Sequence, residues 1–131
     1  MLNSPILIVE DDLISQLVLR TYLGRSGFTE LHFATTADEA LAVLSEQPVT
    51  LILLDVFIDG SVNGLELAEI VKEKYGTPIV FTTANSDRFT YEKAQSVGPA
   101  DFITKPYDIE EVTQTIMRIL TSIHEAKANN I

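Results

Sequence analysis

Cysteine and tryptophan are both missing from this chain of 131 residues. Without a thiol there is no disulfide, no thiolate metal ligand and no cysteine nucleophile. Basic residues are scarce: nine Lys and Arg stand against nineteen Asp and Glu, for a formal net charge of -10. A field of that sign argues against nucleic acid as a partner and repels phosphate ligands unless a cation intervenes. No apolar run reaches the ~18 residues of a membrane-spanning helix, so no membrane partner is expected. The opening MLNSP lacks the basic n-region of a secretory leader. With the absent cysteines, this makes a cytoplasmic protein the expectation. Repeats, low-complexity tracts and internal linkers are absent as well.

What is present is 46% apolar and 21% charged, ordinary for one globular domain with one substantial core. Short apolar runs read as strands: Pro5–Glu10, Leu31–Ala34, Thr50–Asp55, Pro78–Thr83 and Asp101–Thr104. The first, third and fourth are apolar on both faces, as in a parallel sheet covered by helices on each side. Segments of helical period lie between them. One carries Leu13, Ile14, Leu17, Val18 and Tyr22 and stops near Gly27; a second carries Ala40, Leu41 and Leu44 and ends before Pro48. A third spans about 65–75 and stops at Gly76, a fourth about 87–97 and stops at Gly98, and the last about 109–126. The fold class expected is α/β: a flavodoxin-like, doubly wound, five-stranded parallel sheet in the order 2-1-3-4-5 with helices on both faces. A Rossmann-type order also satisfies the pattern. The terminal KANNI is polar, and residues 125–131 are expected to form a fraying tail.

Two of the most apolar runs end in acids. ILIV leads into Glu10, Asp11 and Asp12, and LILL leads into Asp55. In an open α/β sheet, ligands bind beyond the carboxyl ends of the strands where the order reverses, here between strands 1 and 3. Strand 4 ends at the same edge with Thr82 and Thr83, and strand 5 with Lys105 and Pro106. Clustered carboxylates repel and are costly to bury unpaired. A hard divalent cation resolves this, and magnesium suits a few carboxylates, a carbonyl and waters. A lysine and a threonine hydroxyl opposite could then bind phosphoryl oxygens, and a carboxylate can accept a phosphoryl group.

Glu10-Asp11 after ILIV, Asp55 closing LILLD, Thr83-Ala84 after PIVFT and Lys105-Pro106 after DFIT resemble the response regulator receiver domain of two-component signalling. The resemblance spans residues 4–124. It implies that Asp55 is the phosphoacceptor, supplied by a sensor histidine kinase or a histidine phosphotransfer protein. It further implies that Asp11, Asp55 and the backbone carbonyl of Phe57 ligate Mg2+, with Glu10 acting largely through a metal-bound water. Lys105 and Thr83 would bind phosphoryl oxygens, and Phe102 would be an aromatic that turns inward on activation. Such a protein is a signalling phosphoacceptor rather than an enzyme acting on a separate substrate. Its readout surface would include Phe89, Tyr91, Phe102 and Tyr107 and would engage a downstream protein partner. A homodimer is left open. The start of the first helix, with Leu13 and Ile14, lies where a phosphodonor would dock.

The loop after Asp55 departs from the commonest receiver pattern. Ile58-Asp59 stands where Met-Pro is usual, and Gly64 lies nine residues past the acceptor rather than eight. Asp59 is read as solvated in a turn with Gly60. Any two of Glu10, Asp11 and Asp12 could serve the pocket; Asp12 suits the amide-rich start of the first helix. His32 and His124 lie outside the cluster. Phe57 and Asn85 occupy positions that tune phosphoryl lifetime in receivers. The rival classes are a nucleotide binder, which lacks a phosphate loop here, an aspartyl phosphatase, which lacks a second Asp at position 57, and a non-phosphorylated scaffold. No output domain is recognised after the last helix, so the chain reads as a stand-alone receiver or as part of a longer one.

Overall fold

The computed structural model describes residues 1–58, 63–84 and 88–129. Along the chain run β1 (Ile6–Val9), α1 (Leu13–Arg25), β2 (Leu31–Ala34), α2 (Ala37–Glu46), β3 (Leu51–Asp55), α3 (Gly64–Lys74), β4 (Ile79–Thr83), α4 (Arg88–Ser96), β5 (Asp101–Thr104) and α5 (Ile109–Asn129). All strand pairings are parallel, and the order is β2-β1-β3-β4-β5, as the sequence pattern predicts.

The pleat divides the core into two layers. Leu7 and Val9 of β1, Ile52 and Leu54 of β3, and Ile79 and Phe81 of β4 face α2, α3 and α4, packing on Ala40, Leu67, Val71 and Ala94. Ile6, Ile8, Leu51, Leu53 and Val80 face the other way, against Leu19 and Leu23 of α1 and Val112, Ile116 and Leu120 of α5. Burying the four aliphatics of β3 contributes ~6–12 kcal/mol, more than the several kcal/mol that desolvating one carboxylate at the strand's end costs. That imbalance is why the run can hold Asp55 at the sheet edge.

The helix limits follow local chemistry. Asp12, Thr36 and Asn63 cap α1, α2 and α3 by accepting from the amides of Ile14, Glu39 and Glu66. Gly27, Gly76 and Gly98 take positive φ beyond the ends of α1, α3 and α4, the stops expected from sequence. Helix α1 differs from its expected packing. Leu13, Ile14 and Leu17 are 68%, 74% and 61% exposed, whereas the buried residues are Gln16, Leu19 and Leu23. The helix carries apolar side chains on two faces, and only one meets the sheet. Helix α5 extends to Asn129, so part of the polar terminal segment is helical.

Candidate functional site

The sheet order brings the ends of β1 and β3 side by side, with Val9 opposite Leu54. One carboxylate oxygen from each of Glu10, Asp11 and Asp55 lies within 4.8 Å of the others. Glu10 and Asp55 are buried, and Asp11 is partly exposed. Asp12 takes no part in this group; its carboxylate caps α1 and accepts from the hydroxyl of Ser15 at 2.9 Å. Of the three neighbouring acids, the first two therefore enter the pocket and the third starts the helix.

Lys105 follows β5 and reaches across the sheet edge. Its Nζ donates to Asp55 Oδ2 at 2.9 Å and also to Glu10 Oε1. The backbone amide of Phe57 donates to Asp55 Oδ1 at 2.9 Å. Asp55 is thus held from both oxygens, one by a side chain fifty residues further along the chain and one by its own turn. Thr83 ends β4 opposite Thr104, and its neighbour Thr82 lies opposite Asp55. The Phe57 ring is 51% exposed, directly beyond the acceptor strand. Gly64 sits so close beneath that a Cβ there would meet the Asp55 carbonyl oxygen at 2.3 Å and that of Val56 at 2.6 Å. Glycine at this position lets α3 start against the end of β3. Asp59, Gly60 and Asn85 lie outside the described residues.

The electrostatics are those of a crowded acidic pocket. Burial raises the Glu10 carboxyl above its ordinary value, and the Asp55 carboxyl beside it adds to the rise; Lys105 offsets part of it. Burial works against the Lys105 ammonium, but its hydrogen bonds to Glu10 and Asp55 outweigh that and hold its pKa above the ordinary lysine value. One lysine shared between two carboxylates leaves the group of three acids with excess negative charge. The donor set is all oxygen, which fits a hard divalent cation.

Two further residues belong to the pocket that the sequence does not place there. Tyr107, a readout-surface residue by the family resemblance, donates from its hydroxyl to Glu10 Oε1 at 3.2 Å and also meets Thr82. Burial pushes its phenol up to about 12, with the Thr82 bond and Lys105 pulling against the rise. Gln16, buried on α1, donates from Nε2 to the Glu10 carbonyl oxygen at 2.6 Å. Each left a faint trace: a tyrosine body that packs needs a partner for its hydroxyl, and Gln16 is the polar member of the Gln16, Leu19, Leu23 face. Phe102 is half-buried between Phe81 and Tyr91, with ring centroids 5.7 and 4.6 Å away. His32 pairs with Gln47 and Glu30 away from the site, and His124 is exposed on α5.

The family model described as the response regulator receiver domain matches residues 6–117. The chain belongs to the receiver domain family. Among curated relatives, the transcriptional regulatory protein YvrH of Bacillus subtilis is 32% identical over 125 residues, covering 95% of this chain and 52% of that protein. The DNA-binding transcriptional regulator NtrC of Proteus hauseri is 36% identical over 124 residues, 94% of this chain and 26% of that protein. The receiver therefore spans about half or less of the length of these relatives. Among solved structures, the signal receiver domain of a modulated diguanylate cyclase from Desulfovibrio desulfuricans matches with a TM-score of 0.85 at 26% identity, covering 97% of this chain and 98% of that one. The receiver domain of NtrX from Brucella abortus matches at 0.82 and 28%, covering 88% and 98%. This receiver has the fold and family of two-component response regulators, and no helix among its described residues is long and apolar enough to cross a membrane.

Proposed function

We propose that this receiver accepts a phosphoryl group on Asp55 from a phosphohistidine, on a sensor histidine kinase or a histidine phosphotransfer protein, with Mg2+ bound in the pocket. The observation that carries this reading is the convergence of Glu10, Asp11 and Asp55 within 4.8 Å, with Lys105 bridging the first and last. Asp11, Asp55 and the Phe57 carbonyl would hold the ion, and Glu10 would hold one of its waters. The bound ion supplies charge neutralisation for the phosphoryl oxygens. A carboxylate oxygen of Asp55 attacks phosphorus in line, the P–N bond breaks, and its electron pair stays on the departing imidazole. Lys105 then donates to a phosphoryl oxygen, and the Thr83 hydroxyl donates to another. That redistribution biases Phe102 and the surface of α4, β5 and α5 between two arrangements that a downstream protein partner reads.

Leu13, Ile14 and Leu17 of α1 are exposed, and Ile14 lines a groove with Lys105, which supports docking of the phosphodonor there. Residues 4–124 form the receiver unit in this reading and 125–131 its polar extension. The setting is cytoplasmic, where two-component phosphodonors act, and self-association through the readout face is compatible with it. Nucleic acid is not a ligand of these 131 residues, whose charge of -10 disfavours it. The reaction modifies the protein itself, so this is a phosphoacceptor rather than an enzyme with a separate substrate.

Incubation with Mg2+ and acetyl phosphate, followed by intact mass, tests the reading. The expected result is a gain of one phosphoryl group, absent in Asp55→Ala. No gain in the wild type, or a gain that survives in Asp55→Ala, overturns it. Turnover of many phosphoesters would favour a phosphatase instead.

A further inference from the structure

Glu10 is nearly sealed from solvent, and its two oxygens have different surroundings. Oε1 accepts from Lys105 Nζ and from the Tyr107 hydroxyl, while Oε2 lies 3.4 Å from the amide of Asp12. The two donors on Oε1 are unlike. Lys105 is shared with Asp55, on a long flexible stem. Tyr107 is rigid beyond two torsions, and its ring packs with the α1 and α5 layer of the core. Its hydroxyl also meets the side chain of Thr82, which is 2% exposed. Thr82 is in turn fixed by strand pairing, with Val56 donating to its carbonyl at 3.1 Å. A chain of contacts therefore runs from the carboxyl end of β4 through Thr82 and Tyr107 to one oxygen of Glu10.

We propose that Tyr107, anchored by Thr82, is a positioning residue for the metal site: it holds Glu10 Oε1 so that Oε2 faces the cation and its water. The proposal rests on the reading that Mg2+ binds among Glu10, Asp11 and Asp55. The Tyr107 hydroxyl touches neither the ion nor the phosphoryl group. Its effect is to limit the rotation of a buried carboxylate and to keep it hydrogen-bonded when Lys105 turns to the phosphoryl oxygens. Hydrogen bonds that orient the groups around a metal site are commonly worth 10–100-fold in metal affinity. Thr82 and Thr83 then divide the work at the strand's end. Successive residues point to opposite faces, so Thr82 serves the carboxylate on the α1 and α5 side and Thr83 remains for the phosphoryl group.

The test is calorimetric titration of the full chain with MgCl2, alongside its thermal midpoint in EDTA. Tyr107→Phe keeps the buried ring and removes the hydroxyl. Its Mg2+ dissociation constant is expected to rise about tenfold, with the EDTA midpoint close to wild type and the acetyl phosphate labelling rate recovering at saturating Mg2+. Thr82→Val should raise the constant by a similar factor, Thr82→Ser should stay near wild type, and the Val/Phe double variant should fall well short of the product of the two. If Tyr107→Phe lowers the EDTA midpoint markedly, the contrast between Thr82→Val and Thr82→Ser decides. An unchanged constant in Tyr107→Phe, or equal effects of Val and Ser at position 82, overturns the proposal. Failure of the wild type to bind Mg2+, or retention of binding in Asp11→Asn, would instead overturn the metal reading on which it rests.

Discussion

Glu10 concentrates the conflict of the pocket in a single side chain. Burial and the neighbouring Asp55 make its proton harder to remove in the folded state than in the unfolded chain, so its pKa lies above the ordinary 4.5. The stabilisation this brings is complete below pH 4.5 and is lost as pH rises through the higher folded value, because the folded state binds more protons over that window. In EDTA, the thermal midpoint of Glu10→Gln relative to wild type should therefore climb as pH is raised from 4.5 toward neutrality. A gap that stays level or narrows would contradict this. Phe57 carries a second expectation. The residue is half exposed and lies two past Asp55, and a bulky apolar ring at that position would obstruct an attacking water. Phe57→Asn should release phosphate faster, by about tenfold, or ~1.4 kcal/mol in barrier, measured as loss of label from the phosphorylated protein. Equal or slower release in the variant rejects it. The acids and Lys105 were legible from sequence because each closes a strand whose limits are plain. Tyr107 was not, since its direction depends on how the chain turns after Lys105-Pro106, which composition does not encode.

At the level of elements, the strands are read with little ambiguity because parallel strands buried on both sides show as unbroken aliphatic runs, as in LILL of β3. Helices α2, α3 and α5 are similarly plain. Helix α1 is not: with Leu or Ile at 13, 14, 17, 19 and 23, periodicity cannot choose the packed face, and the one that wins carries Gln16. The junction of β3 and α3 is a place where one atom decides. Gly64→Ala puts a methyl group into backbone carbonyls at the end of the acceptor strand. Overpacking of this sort costs about 1–3 kcal/mol, so urea midpoints should fall with the slope unchanged. Gly24, on the exposed side of α1, has nothing within 4 Å of an added Cβ. Gly24→Ala should gain roughly 0.5–1 kcal/mol, and a loss at position 24 equal to that at 64 would show that local space is not the cause.

The whole molecule carries ten excess negative charges, and its pocket gathers three acids. Ion binding to the folded state alone stabilises it by mass action. At a free Mg2+ concentration 100 times the dissociation constant this amounts to ~2.7 kcal/mol, which for a chain of this size is on the order of 10 °C in the thermal midpoint. Asp11→Asn should lose most of that shift, whereas NaCl at matched ionic strength should reproduce little of it. An equal response to both salts would mean that general screening, not the pocket, is responsible.

The neighbouring threonines of β4 have a wider consequence. Because they look into different halves of the interior, deleting or inserting a single residue in that strand would exchange their duties and disconnect the tyrosine from the acid. Descendants of this sequence can change many surface side chains, yet the length of this five-residue segment has to stay as it is.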